Sequence, residues 1–293
     1  MSVKIIADST CDLSAQLIEQ YDITILPLHI IMDEESYSDG VDVTPKMIYE
    51  WSDKTELTPT TSAPSLQEAM NVMSNAAGKD NELICFAISS VMSSSYNVMR
   101  LAAEELEIAD RTYVVDSKTL SCGIGLLILE AAKMAQNGLN AAEINNRILE
   151  LRDKVSVSFV VDTLQYLYRG GRCDGISMMV GSVLQLHPRI SVENGTMHST
   201  KKYRGRMNRV INDYVNDLEY DINNADRTSI FIVNSGCDQG IIEDVKSYID
   251  TCNFANVYCV PAGGVISSHC GPGAFGLMFL NKETGRKRVI ICI

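Results

Sequence analysis

Leu83-Ile84-Cys85-Phe86-Ala87-Ile88-Ser89-Ser90-Val91-Met92-Ser93-Ser94-Ser95-Tyr96 is the stretch that decides the fold. Residues 83–88 form an unbroken apolar run, which reads as a strand covered on both faces. A hydroxyl-rich turn follows, and residues 96–106 carry a helical pattern. The same unit recurs on either side. Residues 3–7 read as a strand ending in Asp8-Ser9-Thr10, with a helix over 12–21. Residues 23–32 are strand-like, broken at Pro27. Helices are predicted over 45–52 and 65–77, the second started by Pro64 and Ser65. A short strand over 112–115 ends in Asp116-Ser117. Helices follow over 123–136, stopped by Asn137-Gly138, and over 141–154. Alternating apolar strands and helices imply a parallel sheet covered on both faces. In such sheets the ligand crevice lies at the carboxyl ends of the strands. Asp8-Ser9-Thr10, residues 89–95 and Asp116-Ser117 all fall there.

Beyond residue 155 the pattern changes. Residues 155–161 are strand-like, Gly170-Gly171 stops a short helix, and 175–186 read as a helix. Asn194-Gly195 between two strand-like runs, 189–192 and 197–203, predicts a hairpin, because Asn-Gly suits the turn a hairpin needs. A helix over 206–219, a strand over 229–234 and a helix over 241–250 follow. Strands over 256–260, 276–280 and 288–293 close the chain. This places a boundary near residue 155, with domains of 1–155 and 156–293. There is no internal repeat and no low-complexity linker.

The bulk numbers bound the function. A chain of 293 residues with 46% hydrophobic content can bury a sizeable core. A net charge of −12 argues against nucleic acid or an anionic membrane as a general partner. No apolar run reaches membrane-spanning length, and the opening residues lack a basic-then-apolar pattern, so no leader is expected. Nine cysteines without a C-x-x-C pair, several in apolar runs (Cys85, Cys259, Cys292), read as buried free thiols of a reducing compartment, so the expected location is cytoplasmic.

Candidate site residues fall in four segments. Thr61-Ser62-Ala63-Pro64-Ser65 and residues 89–95 place small hydroxyls ahead of helix starts. Such residues either cap the helix or, with free N–H groups, cradle an anion. Pro-Ala-Gly-Gly-Val-Ile-Ser-Ser-His-Cys-Gly-Pro-Gly over 261–273 reads as a rigid loop that lets the backbone approach a ligand, and it holds His269, one of four histidines. Lys201-Lys202-Tyr203-Arg204-Gly205-Arg206 is either a solvated face or a partner for a carboxylate or phosphate. Gly170-Gly171-Arg172 likewise reads either as a helix stop with an exposed charge or as such a partner. Phosphate-loop, dinucleotide, nucleophile-elbow and metal-spacing motifs are absent from the sequence. A triad of Asp8 or Asp116, Ser93 and His269 can be drawn only with geometry the sequence does not hold.

Together these segments resemble the DegV family of bacterial fatty-acid-binding proteins. The resemblance runs through Asp8-Ser9-Thr10, Ile25-Leu26-Pro27-Leu28, Tyr37-Ser38-Asp39-Gly40, Thr61 to Ser65, Ile88-Ser89-Ser90 with Ser93, Asp116-Ser117, Thr163-Leu164 to Gly171-Arg172, and His269 to Gly273. It implies an α/β chain of two domains: an N-terminal parallel-sheet sandwich and a C-terminal α/β domain with a mixed, largely antiparallel sheet. A long-chain fatty acid would lie between them in an apolar tunnel. The resemblance further implies a carrier without a cofactor, not an enzyme, that presents the carboxylate to a separate fatty acid kinase for acyl-phosphate formation in phospholipid synthesis. A monomer is expected. Thr61 and Ser93 would hold the carboxylate, His269 would lie beside it, and Arg204 near it. Ala63 stands where the family has Gln, Ser94-Ser95 where it has Gly-Thr, and Cys173 where it has an apolar residue. The alternative is a hydrolase or kinase-like enzyme acting on an acyl or small polyol substrate. About fifteen buried methylenes at roughly 0.8 kcal/mol each outweigh a charged head-group hydrogen bond of about 1.5–3 kcal/mol. The tail would therefore set affinity and the head group direction.

Overall fold

The computed structural model describes residues 2–174 and 186–282. Three sheets organise them. The first is wholly parallel, in the order β2-β1-β6-β7, built from β1 (Val3–Asp8), β2 (Ile23–Leu26), β6 (Glu82–Ala87) and β7 (Thr112–Asp116). The second has seven strands in the order β13-β12-β14-β8-β10-β11-β9. They are β8 (Val155–Val160), β9 (Cys173–Asp174), β10 (Leu186–Glu193), β11 (Thr196–Arg204), β12 (Ala225–Asn234), β13 (Asn256–Pro261) and β14 (Phe275–Asn281). Its four central pairings are antiparallel, and the two outermost are parallel. The third sheet is small and antiparallel: β4 (Glu35–Ser38), β3 (His29–Met32) and β5 (Thr60–Ser62).

Strand alternation sets the layers. Along β1 and β6, Ile5, Ala7, Ile84 and Phe86 face one core, while Ile6, Leu83, Cys85 and Ala87 face another. The second core is closed by α3 (Leu66–Ala77) and α4 (Ser95–Glu105) through Ala69, Met73, Met99 and Ala102. The first is filled by α5 (Cys122–Gln136), whose residues 122–129 are all buried. A helix apolar all round belongs in an interior, and α5 lies between the parallel sheet and the seven-stranded one, whose Val157, Phe159 and Met278 share its core. The outer face of the large sheet is covered by α8 (Met207–Asp217) and α10 (Gln239–Asp250).

Pro27 separates β2 from β3, which lie in different sheets, because a proline cannot donate to a ladder. The small sheet was not foreseen. Its strands are only three or four residues long, and they bury Leu28, Ile30 and Met32 against α2 (Pro45–Thr55) and α11 (Gly264–Cys270). The hairpin expected at Asn194-Gly195 is present, with φ of 52° and 86° at its two turn residues. Residues 264–270, read from the sequence as part of a rigid loop, form a helix: the glycines at 263 and 264 start it and Gly271 ends it. Of the helix expected over 175–186, residues 175–185 lie outside the described residues, and Leu186 opens β10. The strand over 288–293 lies outside them as well. Cys259, expected to be buried, is exposed on the edge strand β13; Cys85 is buried as expected. No described helix is long and apolar enough to cross a membrane.

Candidate functional site

The carboxyl ends of β1, β6 and β7 lie side by side, and the loop of residues 88–95 is tied down between them. The Asp8 carboxylate accepts from Ile88 N–H at 2.9 Å, from Thr10 O–H at 2.5 Å and from the Ser95 hydroxyl. Asp116 accepts from Ser90 N–H at 3.1 Å and from its hydroxyl. These aspartates therefore shape the loop rather than face the ligand. Burial pushes the Asp8 carboxyl up to about 6, against the hydrogen bonds that favour its ionised form.

Held in this way, the loop presents Ser93 to a cavity of about 230 Å³. The Ser93 hydroxyl lies 3.1 Å from that of Ser95 and accepts from Ser95 N–H at 3.3 Å. Thr61, on β5, lines the same cavity, and its Oγ1 is 2.8 Å from Nε2 of His269 on the last turn of α11. Ser62, Ser94 and Arg172 add further polar groups. The rest of the wall is apolar and comes from both halves of the chain: Leu28, Ile88, Met92 and Leu120 from one, Leu167, Met197, Val265 and Ile266 from the other. A smaller apolar cavity of about 20 Å³, between α11, the residues just before α5 and the large sheet, shares Leu120, Ile266 and Cys270 with the first.

His269 is neutral near pH 7. Burial, and secondarily the Arg172 guanidinium, hold its pKa down to about 4. Its Nδ1 has no hydrogen-bond partner among the described residues, and a Cβ on Gly170 would stand 2.4 Å from that atom. An unpaired buried N–H costs more than an unpaired lone pair with no proton to place. The consistent tautomer carries its proton on Nε2, donates to Thr61 Oγ1, and leaves the Thr61 hydroxyl proton free to point into the cavity. The site is then a set of neutral hydroxyls and a neutral imidazole, with the Arg172 guanidinium beside them, in an otherwise apolar pocket.

Three of the four residues singled out in the sequence thus line one cavity: Thr61, Ser93 and His269. Arg204 does not. It is exposed at the end of β11, paired in register with Leu186, and its place at the cavity is taken by Arg172. The sequence carried a signal for this in Gly170-Gly171-Arg172: Gly171 adopts φ 65° and turns the chain out of α7 (Gln165–Gly170), which puts the arginine at the rim. Two of the departures from the family pattern, Ala63 and Ser94, lie in the wall, while Ser95 is buried behind it.

The fold and the cavity define a three-sheet α/β protein with a mainly apolar pocket capped by hydroxyls and a neutral imidazole. The chain belongs to the DegV family: the family model described as "Uncharacterised protein, DegV family" matches residues 2–282. A DegV domain-containing protein of Clostridium acetobutylicum is 32% identical over 289 residues, covering 96% of this chain and 99% of its own. A solved DegV family protein of Thermus thermophilus, described by its fatty-acid binding, superposes with a TM-score of 0.87 at 25% identity, over 96% of this chain and 100% of its own. A stearic-acid-binding protein of Eubacterium ventriosum does so with a TM-score of 0.83 at 28% identity, over 96% and 99%.

Proposed function

We propose that this chain is a carrier of a long-chain fatty acid, which it holds between domains of 1–155 and 156–293 and presents to a separate fatty acid kinase. One observation carries the reading: Thr61, Ser93 and His269 border the same pocket whose remaining wall is mainly apolar. The acyl tail occupies the apolar part and supplies most of the affinity. The carboxylate meets the hydroxyls of Thr61 and Ser93, because a buried anion must be hydrogen-bonded. His269 orients Thr61 through Nε2 and brings no charge of its own. Arg172, the one cationic side chain among the described residues lining the pocket, supplies positive charge beside the head group. The fatty-acid binding of the Thermus and Eubacterium relatives supports the same assignment.

Denaturing extraction of the purified protein followed by lipid mass spectrometry tests the reading. A stoichiometric fatty acid is the expected result. A protein that is empty, and stays empty after incubation with a panel of fatty acids, overturns it. Thr61→Ala and Ser93→Ala are expected to lower kinase-dependent turnover of the bound acid more than binding itself, since they hold the head group and not the tail. Equal losses in both assays would remove that division of roles.

A further inference from the structure

The helix that carries His269 is gripped at its other end by two buried carboxylates. Asp39, 3% exposed, accepts from Gly264 N–H at 2.9 Å and from the Ser9 hydroxyl at 2.8 Å, and its carboxylate also meets Val265 N–H. Asp12, 7% exposed, accepts from Gly263 N–H at 2.9 Å and from the Ser121 hydroxyl. The helix supplies no cap of its own, since Gly263 stands at its N-cap. The fit leaves no slack: a Cβ on Gly263 would lie 2.6 Å from Asp12 Oδ1, and one on Gly264 2.6 Å from Asp39 Oδ1.

The two carboxylates come from different sheets. Asp12 follows the turn after β1, in the parallel sheet. Asp39 directly follows β4, in the small sheet that also holds Thr61 on β5; Ile30 of β3 pairs with both Tyr37 and Thr61. The small sheet therefore touches α11 at two points: Asp39 at Gly264 N–H, and Thr61 at His269 Nε2. Five residues of helix, about 7.5 Å of rise, separate the two contacts. The ring closes through the sheet, so the axial position of α11 sets the distance between His269 and Thr61. Neither carboxylate is in an ion pair among the described residues. N–H and O–H donors hold both groups, while burial pushes both carboxyls up, Asp12 well above the ordinary range, with Asp39 and Asp8 adding to the rise at Asp12.

We propose that Asp12 and Asp39 are positioning residues for the head-group site: they fix α11 along its axis and thereby hold His269 against Thr61. The inference rests on the carrier reading for its ligand but not for its geometry. The Asp39→Asn variant of the full chain tests it. The variant is expected to weaken binding of palmitate about tenfold while changing palmitate methyl ester much less, because the ionised acid accepts a charge-assisted hydrogen bond from the oriented hydroxyl and the ester only a weaker, neutral one. In a Thr61→Ala background the same substitution should add nothing. In the ligand-free protein, the His269 ring nitrogen resonances should shift as the Thr61 contact is lost. Equal losses for acid and ester, full additivity with Thr61→Ala, or His269 resonances that do not move would each overturn the proposal. Ser9→Ala removes one donor to Asp39 with less disturbance and replaces Asp39→Asn if that variant does not fold. A wild-type protein that binds no acyl chain removes the carrier reading alone, and the ligand-free resonances still decide on the positioning role.

Discussion

Gly170→Ala separates helix stability from head-group geometry. Gly170 is the last residue of α7, and its φ is not in the left-handed region, so alanine fits the backbone and favours the helix by up to about 1 kcal/mol. Its new Cβ, however, would stand 2.4 Å from His269 Nδ1 and 3.2 Å from Cε1. Ordinary carbon contacts begin near 3.5 Å, so the ring must retreat by about 1 Å. The Nε2 to Thr61 Oγ1 distance is 2.8 Å, and a ring displaced by that much no longer keeps the geometry of this hydrogen bond. Thr61 then loses its orientation toward the carboxylate. A hydrogen bond to a charged group is worth about 1.5–3 kcal/mol, so the dissociation constant for a fatty acid should rise by roughly 10- to 150-fold. Calorimetric titration with palmitate and with its methyl ester, beside a thermal melt, reads all three quantities. The expected pattern is a Tm changed by only a few degrees, because a helix gain of up to about 1 kcal/mol offsets part of a crowding cost of about 1–3 kcal/mol, with a weakened acid and a nearly unchanged ester. Undiminished acid affinity would refute the argument, because it would mean that His269 does not orient Thr61.

Three further outcomes follow from the same geometry. Burial, and then Arg172, hold the folded-state pKa of His269 at about 4 against about 6.5 in the unfolded chain, so the unfolded chain takes up its proton first as pH falls; stability is lost between about pH 6.5 and 4, and His269→Gln should lose less of it in denaturant titrations across that window. Asp8 works in the opposite sense, since its folded-state value of about 6 favours the folded protein as pH falls toward 3.8, which makes the wild type alone uninformative and the difference between the two proteins the quantity to measure; parallel curves would contradict the assignment. Ile266→Ala, at a residue 8% exposed and shared by both cavities, should cost about 2–5 kcal/mol and shift the co-purified acids toward longer or bulkier chains, as read by lipid mass spectrometry. Arg172→Gln should weaken fatty-acid binding by no more than about fivefold, because an exposed charge is screened, and Arg204→Gln should leave it unchanged; the reverse order in a competition assay would restore Arg204 to the site.

Much of the architecture was legible in the sequence because its determinants are local. The apolar runs at 3–7 and 83–88 alternate between two cores, as a doubly covered parallel sheet requires, and Asn194-Gly195 specifies its hairpin through its own backbone. Ser65 marks the start of α3 because the capping box is complete within four residues, Ser65 to Glu68. Thr61, Ser93 and His269 stood out as small hydroxyls and a scarce imidazole beside turns.

What the sequence could not determine were the long-range relations. The segment at 264–270 reads as a loop because the glycines at 263, 264, 271 and 273 are poor helix formers, yet it is a helix capped by carboxyl groups 225 and 251 residues away. The small sheet was illegible because strands of three or four residues carry too little periodicity, and only burial against α2 and α11 stabilises them. Arg172, and not Arg204, reaches the cavity because Gly171 turns the chain there, and a strand end and a helix stop look equally exposed in one dimension. Local patterning determined which elements form and which residues carry polar chemistry. Tertiary structure alone decided which of those residues meet, because a hydrogen bond such as that between Thr61 and His269 joins positions 208 apart and depends on the packing of everything between them.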